Sequence, residues 1–299
     1  MIPKNYYRMS LLTMKTLVIL FSLIYCVFVQ ANPVIAFERS GFIWTSNLDG
    51  SKARKITAGY VPEISPDGKY IAYNTADHQS TNRYLAIVEL KSGKVAQLQH
   101  IPSKNNFNPV WSPDSKKLIF NTFIDNNWYL ALINKDSSGY LLLNNTQNKY
   151  APVWAQDGNS FFTHDLETIY WMNLEGMLLK KWPLDTLIPH GSMSSASRIQ
   201  VSPDGKTLLM DVDMDEEVYE KNWEGPPPAL WTLDLESGKT TRITPKGTLA
   251  WSPFWINSQQ FIFLKQGKNK QTLALYRGSL KNLVETFLLN DVQTPSISR

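Results

Sequence analysis

The chain has 299 residues, a formal net charge of +4 and a single cysteine. Three of its basic residues lie in the first 31 positions, where no acidic residue occurs, so the remaining 268 residues carry 27 basic and 26 acidic side chains. This near-neutral balance, without a basic stripe, excludes the electrostatic footprint of a nucleic-acid-binding protein.

The first 31 residues are typical of a secretory signal peptide. Lys4, Arg8 and Lys15 precede an apolar run at 16–29, and small or aliphatic residues follow up to Ala31. The run is short for a transmembrane helix, which needs about 20 apolar residues. We therefore predict cleavage after Ala31 and no membrane span in the mature chain. An uncleaved N-terminal anchor is the alternative.

The single cysteine, Cys26, lies inside this segment. Tyr25 stands directly before it, whereas a lipoprotein signal has small residues there, so lipidation is not expected. Without Cys26, residues 32–299 have no thiol for a disulfide or a cysteine–zinc site. The mature protein must be stable by burial alone, and its length is sufficient for a sizeable core.

A Ser-Pro-Asp-Gly motif or a degenerate form of it recurs along the chain in front of short apolar segments. The residues at its serine position are Ser65, Ser112, Ala155, Ser202 and Ser252. Successive intervals are 47, 43, 47 and 50 residues. A period in the forties is typical of propeller blades or of helical arrays.

The segments between the motifs decide in favour of a propeller. Pro66 and Asp67 suit the two central positions of a type I turn, and Gly68 can adopt a positive φ after it. Such a turn joins two antiparallel strands. A third strand, a second tight turn and a short fourth strand follow in each repeat, and no amphipathic helix is evident. Trp111, Trp154 and Trp251 recur directly before the turn, which predicts that they pack between blades.

The two ends of the chain complete the count. Residues 33–57 show three strands without a motif before them, and Val292–Arg299 reads as an inner strand that stops where its turn begins. Ser298 lies 46 residues after Ser252, which keeps the period. We predict an all-β, six-bladed β-propeller over residues 32–299. It is closed by pairing the C-terminal inner strand with the N-terminal outer strands, which removes exposed edges.

The repeats resemble those of the TolB-like six-bladed propellers. The matching segments are 111–114, 202–205 and 230–239, and the motifs at 155–158 and 252–255 are degenerate. The resemblance implies the propeller fold and a periplasmic location. The α/β domain that precedes the propeller in TolB is not expected here, because no room for it remains between Ala31 and the first strand.

The strand order predicts two different faces. If each inner strand runs along the central channel towards its Ser-Pro-Asp-Gly turn, all these turns share one face with the tight turns between third and fourth strands. We call this the turn face. The opposite, loop-rich face carries long and varied loops, where function concentrates. Its longest insertions, 183–198 and 211–228, both flank the repeat of Ser202.

The candidate binding residues lie in or beside these insertions. They are His164, Asp165, His190, Arg198, Asp211, Asp213, Asp215, Glu216 and Trp223. All four histidines of the chain, which include His78 and His100, are predicted on the loop-rich face. They suggest a metal or acid–base cluster, or simply histidines tolerated in polar loops.

Three carboxylates alternate at Asp211, Asp213 and Asp215, a pattern that raises the possibility of calcium. Glu216 stands where an EF-hand loop needs glycine, so we predict no metal and no cofactor, with calcium as an alternative. The same residues could form an acidic lip that docks a basic residue of a partner, or a solvated loop. Trp223 is either an interface anchor or a loop-packing residue.

No catalytic motif such as G-x-S-x-G occurs in the chain, and we predict no catalytic residue. The sequence favours a periplasmic or secreted, monomeric interaction module that binds a protein partner, such as an envelope protein or a lipoprotein, through the loop-rich face. One alternative is a channel-mouth enzyme of the lyase or lactonase type, using His164, His190 and Arg198. A propeller that binds a small ligand or a glycan is the other.

Overall fold

The computed structural model describes residues 33–77, 82–217, 223, 225–266, 273–281 and 285–298. All of them belong to the second of two units, 1–31 and 32–299, into which internal contacts divide the chain. The predicted signal peptide and His78 lie outside the described residues. Both therefore remain predictions.

The described residues form six antiparallel sheets, which are the six blades of a β-propeller. The strands of each blade are given from the channel outwards. Blade 1 contains β25 (Gln293–Ile297), β1 (Val34–Arg39), β2 (Phe42–Asn47) and β3 (Arg54–Ala58). Blade 2 contains β4 (Tyr60–Ile64), β5 (Tyr70–Ala76), β6 (Arg83–Glu89) and β7 (Val95–Gln97). Blade 3 contains β8 (Asn106–Trp111), β9 (Lys117–Ile124), β10 (Asn127–Asn134) and β11 (Leu141–Leu142).

The second half of the ring has the same order. Blade 4 contains β12 (Tyr150–Trp154), β13 (Ser160–His164), β14 (Thr168–Asn173) and β15 (Leu178–Pro183). Blade 5 contains β17 (Ile199–Val201), β18 (Thr207–Met214), β19 (Pro228–Asp234) and β20 (Thr240–Arg242). Blade 6 contains β21 (Trp251–Asn257), β22 (Gln260–Gln266), β23 (Leu273–Ser279) and β24 (Thr286–Asn290). Between blades 4 and 5 lie α1 (Leu184–Leu187) and β16 (Gly191–Ser192), which pairs with the end of β18.

The ring is closed as predicted. β25 pairs antiparallel with β1, so that Ile35 lies opposite Ile297 and Ala36 opposite Ser296. The Ser298 hydroxyl also accepts the backbone N–H of Val34 at 2.9 Å. The last strand of the chain is therefore the inner strand of the blade whose other strands come first, and neither is left as a free edge.

The Ser-Pro-Asp-Gly motif forms a self-bonded turn. The Ser65 hydroxyl donates to Asp67 Oδ1 at 2.6 Å and accepts backbone N–H groups four and five residues ahead at 3.2 and 3.0 Å. Gly68 has a φ of +68°, where glycine pays no steric penalty. The serine–aspartate bond recurs from Ser112 at 2.6 Å and from Ser202 at 2.5 Å. Serine and aspartate thus replace the backbone partners that the turn lacks.

The two kinds of tight turn share one face, as the strand order predicts. Backbone N–H groups that end the third strands bond to carbonyls of the Ser-Pro-Asp-Gly turns. Leu90 donates to Lys69 and Leu235 to Lys206, both at 2.9 Å. These bonds place both kinds of turn on the turn face.

A tryptophan links the inner strands of neighbouring blades. Trp111 of blade 3 donates Nε1–H to the carbonyl of Glu63 in blade 2 at 3.0 Å. Trp154 of blade 4 donates to the carbonyl of Val110 in blade 3 at 3.1 Å. Both tryptophans directly precede a turn and are buried, which confirms their predicted packing between blades.

Blade 6 makes this link with Trp255 and not, as predicted, with Trp251. Trp255 Nε1 donates to the carbonyl of Gln200 in blade 5 at 3.2 Å. The turn that follows is closed by Asn257, whose Oδ1 accepts the N–H groups two and three residues ahead, both at 2.9 Å. The expected turn at Ser252 was therefore placed four residues too early, because β21 continues through the Trp-Ser-Pro triplet that imitates the motif.

The hydrophobic core lies mainly between neighbouring blades. Between blades 1 and 2, for example, Ala36 and Ile43 pack against Ile64 and Ile71, all of them at most 2% exposed. Each sheet packs against a neighbour on both faces, so the second and third strands of the blades carry buried apolar residues on both sides. Among the described residues, no helix is long and apolar enough to cross a membrane.

The inner strands of five blades contain a bulge at one repeated position. Four residues before the start of the turn, a residue with positive φ precedes a proline. These residues are Val61, Asn108, Ala151, Ser252 and Thr294, with φ of 50°, 56°, 47°, 48° and 43°. A proline fits there because a bulge leaves its position without a ladder hydrogen bond. In blade 5 the pair is Arg198 and Ile199, and Arg198 has no positive φ.

Candidate binding site on the loop-rich face

Arg198 reaches across the central channel. Its Nη1 donates to Oδ1 of Asn108, although Arg198 precedes the inner strand of blade 5 and Asn108 lies on that of blade 3. Blade 4 stands between these two blades, so the contact must pass through the channel. Asn108 is itself held by Asn74, whose Oδ1 accepts its backbone N–H at 3.0 Å.

Asp211 supports Arg198 from the next strand of the same blade. Its Oδ1 accepts the backbone N–H of Arg198 at 2.8 Å, and Asp211 is only 5% exposed. Burial raises the pKa of this carboxyl to about 7, although the N–H and charge of Arg198 lower it. Burial also lowers the pKa of Arg198, against the charges of Glu63 and Asp211. The channel thus holds one cation and two acidic groups in a poorly solvated place.

The channel narrows towards the turn face. A cavity of only about 40 Å³ remains there, lined by residues that include Glu63, Val110, Gln200 and Phe254. Such a space holds a water-sized occupant. A larger ligand or a partner side chain therefore has to approach Arg198 from the loop-rich mouth.

Aromatic residues occupy one level of this mouth. At the position directly before the bulge stand Tyr60, Phe107, Tyr150 and Trp251 in blades 2, 3, 4 and 6. All four are half-buried, and equal positions in the repeat place them at one height. Half-exposed aromatic side chains are the residues that most often anchor protein interfaces.

One further cation lies beside these rings, and another lies beside Tyr170 of the third strand of blade 4. The Arg83 guanidinium lies 4.8 Å from the centre of the Phe107 ring, and its Nε donates to Asn105 at 2.7 Å. Lys149 Nζ lies 3.8 Å from the centre of the Tyr170 ring. Together with Arg198, these side chains give the mouth an aromatic and cationic surface.

Asp165 organises the mouth beside blade 4. It accepts the Tyr170 hydroxyl at 2.5 Å and the Thr168 backbone N–H at 2.9 Å, and it lies 4.0 Å from Lys149 Nζ. Burial lowers the pKa of Lys149, whereas the charge of Asp165 raises it. Asp165 therefore has mainly a positioning role in this geometry.

His164 is buried at the end of β13, whereas the sequence suggested a loop. Its Nε2 lies 3.2 Å from the carbonyl of Ser197, and its Nδ1 accepts the N–H of Leu166 at 3.3 Å. Burial lowers its pKa to about 4, against the Ser197 carbonyl and the charge of Asp165. The ring is thus neutral at pH 7 and fixed by backbone on both sides.

His190 is exposed and precedes β16. Its carbonyl accepts the backbone N–H of Asp215 at 3.1 Å, which ties the two insertions together. Among the described residues, no hydrogen bond or ring contact joins His190 to His164 or Arg198. The three side chains of the enzyme alternative are therefore not brought together in direct contact.

The acidic segment lies partly within blade 5. Asp211 and Asp213 belong to β18, and burial raises the pKa of the half-buried Asp213. Asp215 is exposed. Glu216 forms a two-pronged ion pair with Arg242 at 2.5 and 2.8 Å, and this bonding lowers its pKa.

Trp223 packs on Trp251, with ring centres 5.8 Å apart, and its Nε1 donates to the Pro226 carbonyl at 3.3 Å. It is half-buried, so it serves loop packing and still offers part of its ring to a partner. Within the described residues, no three histidine or acidic side chains come together as metal ligands do.

Sequence analysis missed Asn108, Glu63 and the four aromatic residues of the mouth. The sequence did contain a signal for some of them. When the repeats are aligned, the positions four and five residues before the turn show the aromatic residues and the different residues of blade 5. Among the residue pairs at the bulge, Arg198–Ile199 alone lacks the proline. A contact across the channel, however, depends on the radius of the ring and leaves no spacing in the sequence.

No protein-family model matches this chain, and no curated protein matches it significantly in sequence. Solved structures do resemble it. TolB from Acinetobacter baumannii superposes with a TM-score of 0.69 at 17% identity, over 89% of this chain and 66% of that one. The chain thus spans about two thirds of that TolB.

Two solved structures that are not TolB also superpose on this chain. A chain of a nidogen/laminin complex gives a TM-score of 0.65 at 9% identity, covering 89% of this chain and 98% of that one. An oligogalacturonate lyase in complex with manganese gives 0.55 at 14% identity, covering 83% and 70%. At such identities a likeness shows the fold alone. The comparisons therefore confirm the six-bladed propeller and its likeness to TolB-like propellers.

Proposed function

We propose that this protein is a periplasmic or secreted interaction module that binds a protein partner at the channel mouth of its loop-rich face. The observation that carries the proposal is the concentration of departures from the repeat in and beside blade 5. The insertions around His190 and Asp215, the crossing Arg198 and the missing proline at Ile199 all lie there. On the turn face, in contrast, the same serine–aspartate bond recurs in three of the blades.

The chemistry of the mouth supports a protein partner. Four half-buried aromatic residues at one level offer large contact areas at low entropic cost, as interface anchors do. The cations among them suit acidic or aromatic groups of a partner, and exposed Asp215 and Glu217 at the rim suit a basic one. Charges of both signs favour orientation of the partner over simple attraction.

The geometry gives less support to the enzyme alternative. A general acid or base needs a ring nitrogen that reaches the substrate. Both nitrogens of His164 are bonded within the protein. Because its pKa is about 4, the ring is neutral at pH 7, and its one proton is bonded to the Ser197 carbonyl. A module for binding thus accounts for more of the described contacts than a catalytic site does.

A charge-reversal assay tests the proposal. The full chain and an Asp215→Lys/Glu217→Lys variant are cross-linked to an envelope extract and compared with Glu236→Lys, which reverses an exposed charge on the turn face. We expect one saturable partner adduct, about tenfold weaker in the double variant and unchanged in the control. Equal loss in both variants, or no adduct at any concentration, would contradict the proposal.

A further inference from the structure

A second concave site lies on the turn face, away from the channel mouth. It is a cavity of about 570 Å³ between blades 1 and 2. Blade 1 contributes the end of β2 and the turn to β3, and blade 2 contributes residues 68–69 and 89–91. The volume falls within the roughly 300–1,000 Å³ of small-molecule sites, so the cavity suits a compact ligand better than a protein surface.

The rim of this cavity is positively charged. Lys52, Arg54, Lys69 and Lys91 line it, with Glu89 as the acidic residue of the lining. Lys69 Nζ lies 3.5 Å from Oδ2 of Asp67, two residues earlier in the same turn. Among the described residues, no ion pair engages the other three cations. An anionic group would meet them without displacing an existing partner.

Thr45 and Asn47 of β2 face this cavity, and Thr45 is only 3% exposed. Ser46 between them points to the other face of the sheet, where it lies opposite Ile35. The Thr45 hydroxyl accepts Nε–H of Arg54 at 3.3 Å, which directs the guanidinium along the cavity wall. Asn47 donates its amide to Ser51 at 2.9 Å. Hydroxyl and amide groups of this kind bind the hydroxyls of a ligand, and the cations above them bind its charge.

The charge of this cavity is not a constant feature of the repeat. Lys91 lies in the turn between β6 and β7, two positions after Glu89, the last residue of β6. The same position is acidic in blades 1, 3, 4 and 5, as Asp49, Asp136, Glu175 and Glu236, and is a lysine in blade 6, as Lys281. A lysine in place of a carboxylate at the mouth of a cavity changes the local charge by two units and is not needed to form the turn.

We propose that the cavity between blades 1 and 2 binds an anionic sugar, whose carboxylate or phosphate contacts Lys52, Lys91 and Arg54 while its hydroxyls contact Thr45 and Asn47. The site lies on the opposite face from the channel mouth and does not depend on the proposed partner. The chain would then combine a protein-binding face with a site for an acidic carbohydrate.

Calorimetric titration of the full chain tests this proposal with glucuronate, glucose 6-phosphate, glucose and inorganic phosphate. A Lys52→Glu/Lys91→Glu variant removes two cations of the rim. The matched control, Lys116→Glu/Lys206→Glu, makes the same change in charge at exposed turn-face lysines of blades 3 and 5. Each of these control lysines directly follows the turn position that Gly68 occupies in blade 2.

We expect saturable binding of at least one acidic sugar, weakened about tenfold or more in the cavity variant and unchanged in the control. Glucose should not bind, and the two acidic sugars distinguish a carboxylate from a phosphate site. Binding of neither acidic sugar would overturn the proposal. So would equal weakening in the control, or inorganic phosphate binding as tightly as glucose 6-phosphate. The Asp215→Lys/Glu217→Lys variant should bind sugar normally, which separates this test from that of the proposed partner.

Discussion

Blade 5 and the other five blades build the channel in different ways. In the five, the bulge consists of a positive-φ residue with a short, uncharged side chain, followed by proline. In blade 5 this position is occupied by Arg198. Its side chain donates to Asn108 of blade 3, and its backbone N–H donates to Asp211. A repeated fold tolerates such an exception because neighbouring contacts hold the ring together. The exception lies in the part of the channel where we propose that a partner binds.

The largest expected effect concerns Trp255, which takes the place in blade 6 that Trp111 and Trp154 have in blades 3 and 4. Trp255→Ala removes a fully buried side chain and its bond to Gln200, which should cost about 4 kcal/mol of unfolding free energy. Trp251→Ala, at the half-buried position, should cost about half as much. Chemical denaturation of both variants measures the difference. A larger loss of stability for Trp251→Ala would contradict this assignment and support a turn at Ser252.

The next effect concerns His164, which packs against the segment that leads to Arg198. Because its folded pKa of about 4 lies below the usual 6.5, it contributes stability above pH 6.5 that is lost as the pH falls towards 4. Between these values the loss should reach roughly 3 kcal/mol. His164→Gln, which keeps a donor for Ser197, should flatten this part of the stability curve. An unchanged curve would mean that the ring is solvated in the folded protein.

A third prediction removes the support of Arg198. Asp211→Ala leaves the backbone N–H of Arg198 without its partner and the guanidinium with Glu63 as its remaining nearby carboxylate, which should cost about 2–3 kcal/mol. Asp213→Ala on the same strand should cost less than about 1 kcal/mol, since Asp213 is half-exposed and makes no comparable bond. Denaturation at pH 8 compares the two. Equal losses would mean that Asp211 gives Arg198 no specific support.

The smallest expected effect concerns the ion pair between Glu216 and Arg242, which holds the acidic insertion in place. Glu216→Gln replaces the two-pronged ion pair with Arg242 by neutral hydrogen bonds, and we expect a loss of about 1 kcal/mol. Asp215→Asn, one residue earlier and exposed, should leave stability unchanged. The same denaturation assay measures both variants. A loss confined to Asp215 would mean that the segment is anchored elsewhere.

The fold could be predicted from the sequence because its turns carry their own chemistry. Ser65, Asp67 and Gly68 satisfy a local turn wherever they occur, so counting the motif counts the blades. The register of blade 6 could not be predicted in this way. Its Trp-Ser-Pro triplet resembles the start of the motif, whereas the turn itself is closed by Asn257. Because the repeat period varies by several residues, the spacing is compatible with a turn at either place.

The site was predictable only as a region. The two insertions beside blade 5 and the residues Arg198 and Asp211 were recognised from their lengths and charges. The burial of His164 was not, because the boundary between strand and loop depends on pairing with Tyr150 across the sheet. The Arg198–Asn108 contact joins positions 90 residues apart through the channel, and only the closed ring brings them together.

Site-specific photo-cross-linking tests the central claim most directly. A cross-linking amino acid is placed at His190 on the loop-rich face and, as a control, at Asn159 on the turn face, both of which are exposed. The account predicts a discrete protein adduct from position 190 that is absent from position 159 and that decreases when Arg198 is changed to Ala. The same adduct from both positions, or one that forms only at position 159, would contradict it.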